Sequence, residues 1–99
     1  FIEDVGEKPY RIDRMLSTLR VGGHFKYVVG IVVGEFVDCN KGRDNVRADD
    51  VIRDVLCDLG VPMLGKFPMG HGLRNEPVPM GVTVRIAGCG ENEGVCEIA

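Results

Sequence analysis

A carboxylate and an imidazole stand far apart in this chain, Glu3 in FIEDVG and His71 in PMGHG. Brought together they would make a general base. The carboxylate would hold the ring in one tautomer and stabilise the imidazolium that forms when the ring takes a proton. The glycines on either side of His71 permit a tight turn and leave room for a substrate or a second domain. A nucleophile to complete the set is harder to find. The only serine, Ser17, lies in a helical stretch and lacks the G-x-S-x-G turn that exposes a reactive hydroxyl. Cys39 is the one internal candidate, and a Cys39–His71 pair would make a thiol hydrolase. Cys57 falls in a helical stretch, and Cys89 and Cys96 flank a turn, positions that suit structural roles.

The elements around these residues decide whether they can meet. Phe1-Ile2 reads as the end of a strand, placing Glu3 at its carboxyl end, with a loop over Asp4 to Glu7. Pro9 suits the first turn of a helix, where its missing N–H costs nothing. Ile12, Met15, Leu16 and Leu19 then recur at helical spacing as one apolar face, and Gly22-Gly23 stops the helix. Tyr27 to Val33 is continuously apolar and β-branched, which predicts a strand covered on both faces, as in a parallel sheet. Glu35 and Cys39 follow it. A polar loop spans Asp38 to Asn45; its glycine and acid spacing do not fit a calcium loop.

A second helix is predicted from about Arg47 to Leu59, burying Val51, Ile52, Val55, Leu56 and Leu59. Asp49 and Asp50 favour its positive end, and Gly60 and Pro62 end it. Met63 to Phe67 reads as a third strand, followed by the Pro68–Gly72 turn and a polar, proline-rich crossing. Val82, Val84 and Ile86 alternate with polar neighbours as a one-sided strand. GCGENEG is a turn, and Val95 to Ile98 pairs back. The order is β-α-β-α-β with a carboxyl-terminal β-hairpin, an α/β fold with a parallel core. The hairpin does not fit a plain doubly wound sheet and is expected as a second, antiparallel layer or an edge. Parallel strands bring their carboxyl ends to one edge, where open α/β folds bind ligands. Topology alone therefore collects Glu3, Glu35, Cys39 and His71 on one side.

Composition narrows the classes. The 99 residues suit one domain, and 44% hydrophobic with 27% charged residues is ordinary for a globular protein. A net charge of −3, from 12 basic against 15 acidic residues, argues against a nucleic-acid partner. No apolar run approaches the roughly 20 residues of a membrane span, and no signal peptide is evident. Without a C-x-x-C pair, and with two histidines, a structural zinc site is not expected, nor is a cofactor. The four cysteines are expected to be free thiols in a reducing cytoplasm. A chain that begins without Met, inside an apolar run, is expected to be a piece of something longer.

EDVGEKPYRIDRML, GIVVGEFVDC and DLGVPMLGKFPMGHGLRNEPVPMG, in this order, resemble the carboxyl-terminal domain of the L,D-carboxypeptidases over nearly all of the chain. That family includes the muramoyl-tetrapeptide carboxypeptidases and the microcin C immunity peptidase. The most specific elements are the E-D-V-x-E-x-x-Y-R-x-x-R-x-L and G-H-G-x-x-N-x-x-x-P-x-G runs. The resemblance implies a swivelling β/β/α domain and a Ser-Glu-His triad. Glu3 and His71 would come from this domain, and the serine and oxyanion hole from an amino-terminal domain not present in the chain. It further implies a cytoplasmic enzyme, a homodimer, that removes the terminal D-Ala of murein tetrapeptide during wall recycling. The domain by itself is then expected to be inactive. Arg74 and Asn75, close to His71, are candidates to meet a substrate carboxylate. The short Asp38–Asn45 loop lacks the longer insertion associated with the microcin branch and favours the tetrapeptide enzyme. The competing readings are a non-catalytic binding or dimerisation module and a microcin-type peptidase domain.

Overall fold

The computed structural model describes residues 1–40, 42, 45–88 and 94–98. The elements, in chain order, are β1 (Ile2–Val5), α1 (Pro9–Val21), β2 (Ile31–Val37), α2 (Ala48–Leu56), a 3-10 turn (Cys57–Leu59), β3 (Met63–Leu64), β4 (Val84–Gly88) and β5 (Gly94–Ile98). β1, β2 and β3 form a parallel sheet in that order, with β2 in the centre, and β4 and β5 form a separate antiparallel hairpin. The mixed α/β fold expected from the sequence is therefore present, with the hairpin apart from the sheet. No helix among the described residues is long and apolar enough to cross a membrane.

Successive side chains of a strand point to opposite faces, and β2 uses both. Ile31 and Val33 face the helices, packing with Ile12 and Leu16 of α1 and with Ala48, Val51, Ile52 and Leu56 of α2. Val32 faces the other way, onto Leu64 and Met69, with Phe67, Val78 and Ile86 around them. Three layers result: a helix pair, the parallel sheet, and a cover made from the proline-rich crossing and the hairpin. Burying a Leu, Ile or Val side chain stabilises by about 1.5–3 kcal/mol, so these two clusters fix how the layers stack. Within the hairpin, Val84 and Ile86 are half-buried while Arg85 and Ala87 are exposed, the alternation expected; Val82 is exposed and precedes the strand.

The helices start and stop for local reasons. Pro9 occupies the first turn of α1, and Gly23 turns left-handed beyond its end (φ 78°), where the His24 N–H donates to the Leu19 carbonyl. Asp49 and Asp50 sit in the first turn of α2, and the Asp50 carboxylate accepts from the Arg47 N–H. The side-chain oxygen Asn40 Oδ1 accepts from the Ala48 N–H at 2.8 Å, capping the same end. Gly60 (φ 68°) ends the 3-10 turn. Arg20 joins the helices at their far ends, donating to both Asp58 oxygens and to the Val55 carbonyl.

Several boundaries differ from the sequence expectation. β2 starts at Ile31 rather than Tyr27, and Tyr27 and Val29 are 84% and 86% exposed. The apolar run shows that a strand is present but not where its ladder begins. That is set by pairing, from Ile31 with Met63 and from Val33 with Ile2. β1 extends to Val5, so Glu3 lies within the strand and not at its end. β3 holds only Met63 and Leu64; Lys66 adopts a left-handed conformation (φ 54°), which takes the chain off the ladder before Phe67 returns to donate to the Val33 carbonyl. Met15 and Leu19 flank the buried stripe of α1 and stay over a third exposed, leaving Ile12 and Leu16 to pack. Lys41, Arg43 and Asp44 of the polar loop, and Cys89 with the rest of the hairpin turn, lie outside the described residues.

Candidate active site

β1 and β2 do not pair evenly where the site forms. Ile2 opposes Val33 and Asp4 opposes Phe36, so Glu3 alone faces two residues, Gly34 and Glu35. Such a bulge bends the strand and re-aims a side chain. The extra residue lets the segment after β3 come in close: the Glu35 N–H donates to the Met69 carbonyl at 3.0 Å, and Glu35 bridges to Gly70. Gly34 is what permits this approach. A Cβ there would lie 2.7 Å from the Met69 carbonyl oxygen and 3.0 Å from the Glu3 Cβ. A glycine inside a β-branched run often marks such an approach. In GIVVGEF that glycine is the sequence signal for the approach, which apolar patterning alone does not bring out.

Gly34→Ala is accordingly expected to destabilise the protein by about 1–3 kcal/mol, because main chain, not a flexible side-chain tip, must move to admit the methyl group. Urea unfolding measures this. Stability equal to wild type would mean that the two segments can part freely.

The turn after Met69 carries His71 over Glu3. His71 Nδ1 lies 2.9 Å from Glu3 Oε2. A carboxylate can only accept, so the ring must donate Nδ1–H, leaving the lone pair on Nε2. No partner for Nε2 is found among the described residues. The side chains of His71 and Glu3 are 55% and 32% exposed. Exposed pairs of this kind contribute at most about 1 kcal/mol to stability, so the contact does little to hold the fold together. Gly70 (φ 114°) makes the approach possible, since a Cβ there would meet Glu3 Oε2 at 2.7 Å. An open hollow of about 590 Å3 lies beside the pair, lined by Glu3, Met69, Gly70, His71, Asn75, Glu76, Pro77 and Val78.

The other candidates fall elsewhere. Cys39 is fully buried in the cluster beneath the helices, its thiol directed to the Val37 carbonyl at 3.3 Å. Burial, the largest influence on it, raises its pKa above the usual thiol value. A thiol nucleophile must be ionised and accessible, so the thiol-hydrolase alternative does not survive. Cys57, read as structural, is instead exposed; it and Cys39 are both free. Ser17 donates to Asp13 on the surface of α1 at 2.9 Å. Arg74 pairs with Glu76 at 2.8 Å, both exposed. Asn75 turns back into its own loop, its Oδ1 accepting from the Gly70 N–H at 3.1 Å. No group of three or more potential metal ligands occurs among the described residues.

Comparison with known proteins identifies the domain. The family model described as the LD-carboxypeptidase C-terminal domain matches residues 1–86. The chain is 40% identical over 89 residues to a Synechocystis sp. protein designated a carboxypeptidase, covering 88% of this chain and 30% of that one. It is 39% identical over 83 residues to a Bacillus subtilis protein named as a probable murein peptide carboxypeptidase, covering 82% and 26%. Among solved structures it superposes on a muramoyltetrapeptide carboxypeptidase from Oxalobacter formigenes with a TM-score of 0.80 at 26% identity, covering 97% of this chain and 34% of that one. The chain thus spans about a third or less of the length of each.

Proposed function

The chain belongs to the LD-carboxypeptidase family, as its C-terminal domain, and from that premise we propose that it supplies the glutamate and histidine of a Ser-Glu-His triad. The observation that carries the reading is the 2.9 Å contact between His71 Nδ1 and Glu3 Oε2, which commits the proton to Nδ1 and leaves Nε2 as a base beside an open hollow. The serine comes from a domain outside this chain. The one serine within it is engaged with Asp13 on a helix surface, and the relatives are about three times as long.

In the proposed reaction the serine hydroxyl gives its proton to Nε2 and attacks the peptide carbonyl. The imidazolium, balanced by Glu3, then protonates the departing amine. Water hydrolyses the acyl-enzyme with His71 again as base. The substrate is a murein tetrapeptide and the leaving group its terminal D-Ala; the names of the Bacillus subtilis and Oxalobacter formigenes relatives support this choice over a microcin-type substrate. A cytoplasmic, homodimeric enzyme belongs to the same reading, as the family resemblance implies.

The test is release of D-Ala from murein tetrapeptide. The full-length protein is expected to release it and to lose activity to a serine-directed phosphonate that labels a residue outside this chain. The isolated domain is expected to release none. Turnover by the isolated domain, or full activity after phosphonate treatment, would refute the proposal.

A further inference from the structure

The loop that presents His71 is tied across its base at two points. The Glu76 N–H donates to the Pro68 carbonyl at 2.7 Å, and inside that tie the Gly70 N–H donates to Asn75 Oδ1 at 3.1 Å. The second tie is the unusual one, because a side chain closes it on the residue directly before His71. Only the amide's oxygen can accept from an N–H, so this contact also fixes which way the Asn75 amide faces. Gly70 sits at φ 114°, a conformation with no side chain of its own to hold it. Without the Asn75 oxygen, its N–H would be left to water and the backbone beneath His71 to a wider range of angles. A base must be held within about 0.5 Å of its productive position, so this freedom matters for catalysis more than for the fold.

We propose that Asn75 is a positioning residue. By holding the Gly70 N–H, its carbonyl oxygen fixes the backbone from which His71 reaches Glu3. The proposal rests on the triad reading above and adds a role for Asn75 distinct from contact with a substrate carboxylate. Substrate contact would use the amide nitrogen, whereas positioning uses the oxygen, and the two can be separated by substitution. Asn75→Asp keeps an acceptor for Gly70 and loses the donor. Asn75→Ala loses both.

In the full-length enzyme, Asn75→Ala is expected to lower kcat by about 10–100-fold, the scale of a 1 Å misplacement, with KM within about threefold. Asn75→Asp should restore kcat to within about fivefold of wild type. Hydrogen exchange at the Gly70 amide should accelerate in Asn75→Ala and remain slow in Asn75→Asp. Equal rises in KM in both variants, with kcat unchanged, would overturn the proposal in favour of substrate contact by the amide nitrogen. Unchanged kcat in Asn75→Ala, in an enzyme that His71→Ala inactivates, would overturn the positioning role and leave the triad standing. Full activity in both Asn75→Ala and His71→Ala would remove the triad reading itself.

Discussion

Replacing His71 with alanine in the full-length enzyme is expected to lower kcat for D-Ala release by about 10^5–10^6-fold, with KM changed by less than about tenfold. Loss of the base from a serine–histidine unit has that scale in a hydrolase of another fold, because the hydroxyl is a poor nucleophile until its proton has somewhere to go. What activity remains would come from substrate binding and oxyanion stabilisation in the other domain. The fold should survive. His71 is more than half exposed and its hydrogen-bond partner is Glu3, so the substitution leaves no buried group unsatisfied. The melting temperature is therefore expected to stay within a few degrees of wild type. Single-turnover and steady-state assays on the same preparation would measure both quantities. A kcat within tenfold of wild type would mean that His71 is not the base.

Glu3→Gln should be almost as damaging, for a subtler reason. The side chain keeps its shape and reach, so the hollow and the strand bulge are undisturbed. The amide, however, can turn its NH2 toward Nδ1. The ring would then accept at Nδ1 and carry its proton on Nε2, where a lone pair is needed. The base would sit in place in the wrong tautomer. The corresponding acid-to-amide change in a serine protease costs about 10^4-fold in kcat, or roughly 5–6 kcal/mol of barrier, and a loss of that order is expected here. Nitrogen-15 NMR of the His71 ring gives an independent readout: wild type should carry its proton on Nδ1 and Glu3→Gln on Nε2. An unchanged tautomer with wild-type turnover would show that the 2.9 Å contact is incidental.

The two predictions separate the roles. In the proposed mechanism His71 takes the reacting proton, whereas Glu3 acts through His71. Combining the substitutions should therefore cost little more than His71→Ala alone, since residues that act as one unit are not additive.

Much of this was legible in the chain. The 3.6-residue spacing of Ile12 and Leu16, and of Val51, Ile52, Val55 and Leu56, fixes which helix faces are buried. Pro9, Gly23 and Gly60 mark boundaries because each imposes or permits a backbone conformation that ordinary residues do not. The β-branched run before Glu35 announces a strand covered on both sides, and helices between successive strands require those strands to be parallel. From that alone, Glu3 and His71 belong at the same sheet edge, while the nucleophile stays open between Cys39 and a serine from another domain, which only the family resemblance implies.

Tertiary structure alone decided the rest. Periodicity reports the face of a strand but not the residue at which its ladder begins, so β2 lies four residues beyond the start of its apolar run. The bulge opposite Glu3, the approach of Met69 over Gly34 and the turn of Asn75 onto Gly70 arise from contacts between segments far apart in sequence or closed within one irregular loop. Cys39 looked available because it follows a strand, yet the helix pair closes over it completely. Local chemistry determines what each segment can become. Which atoms finally meet depends on how the layers pack, and packing is a property of the whole chain.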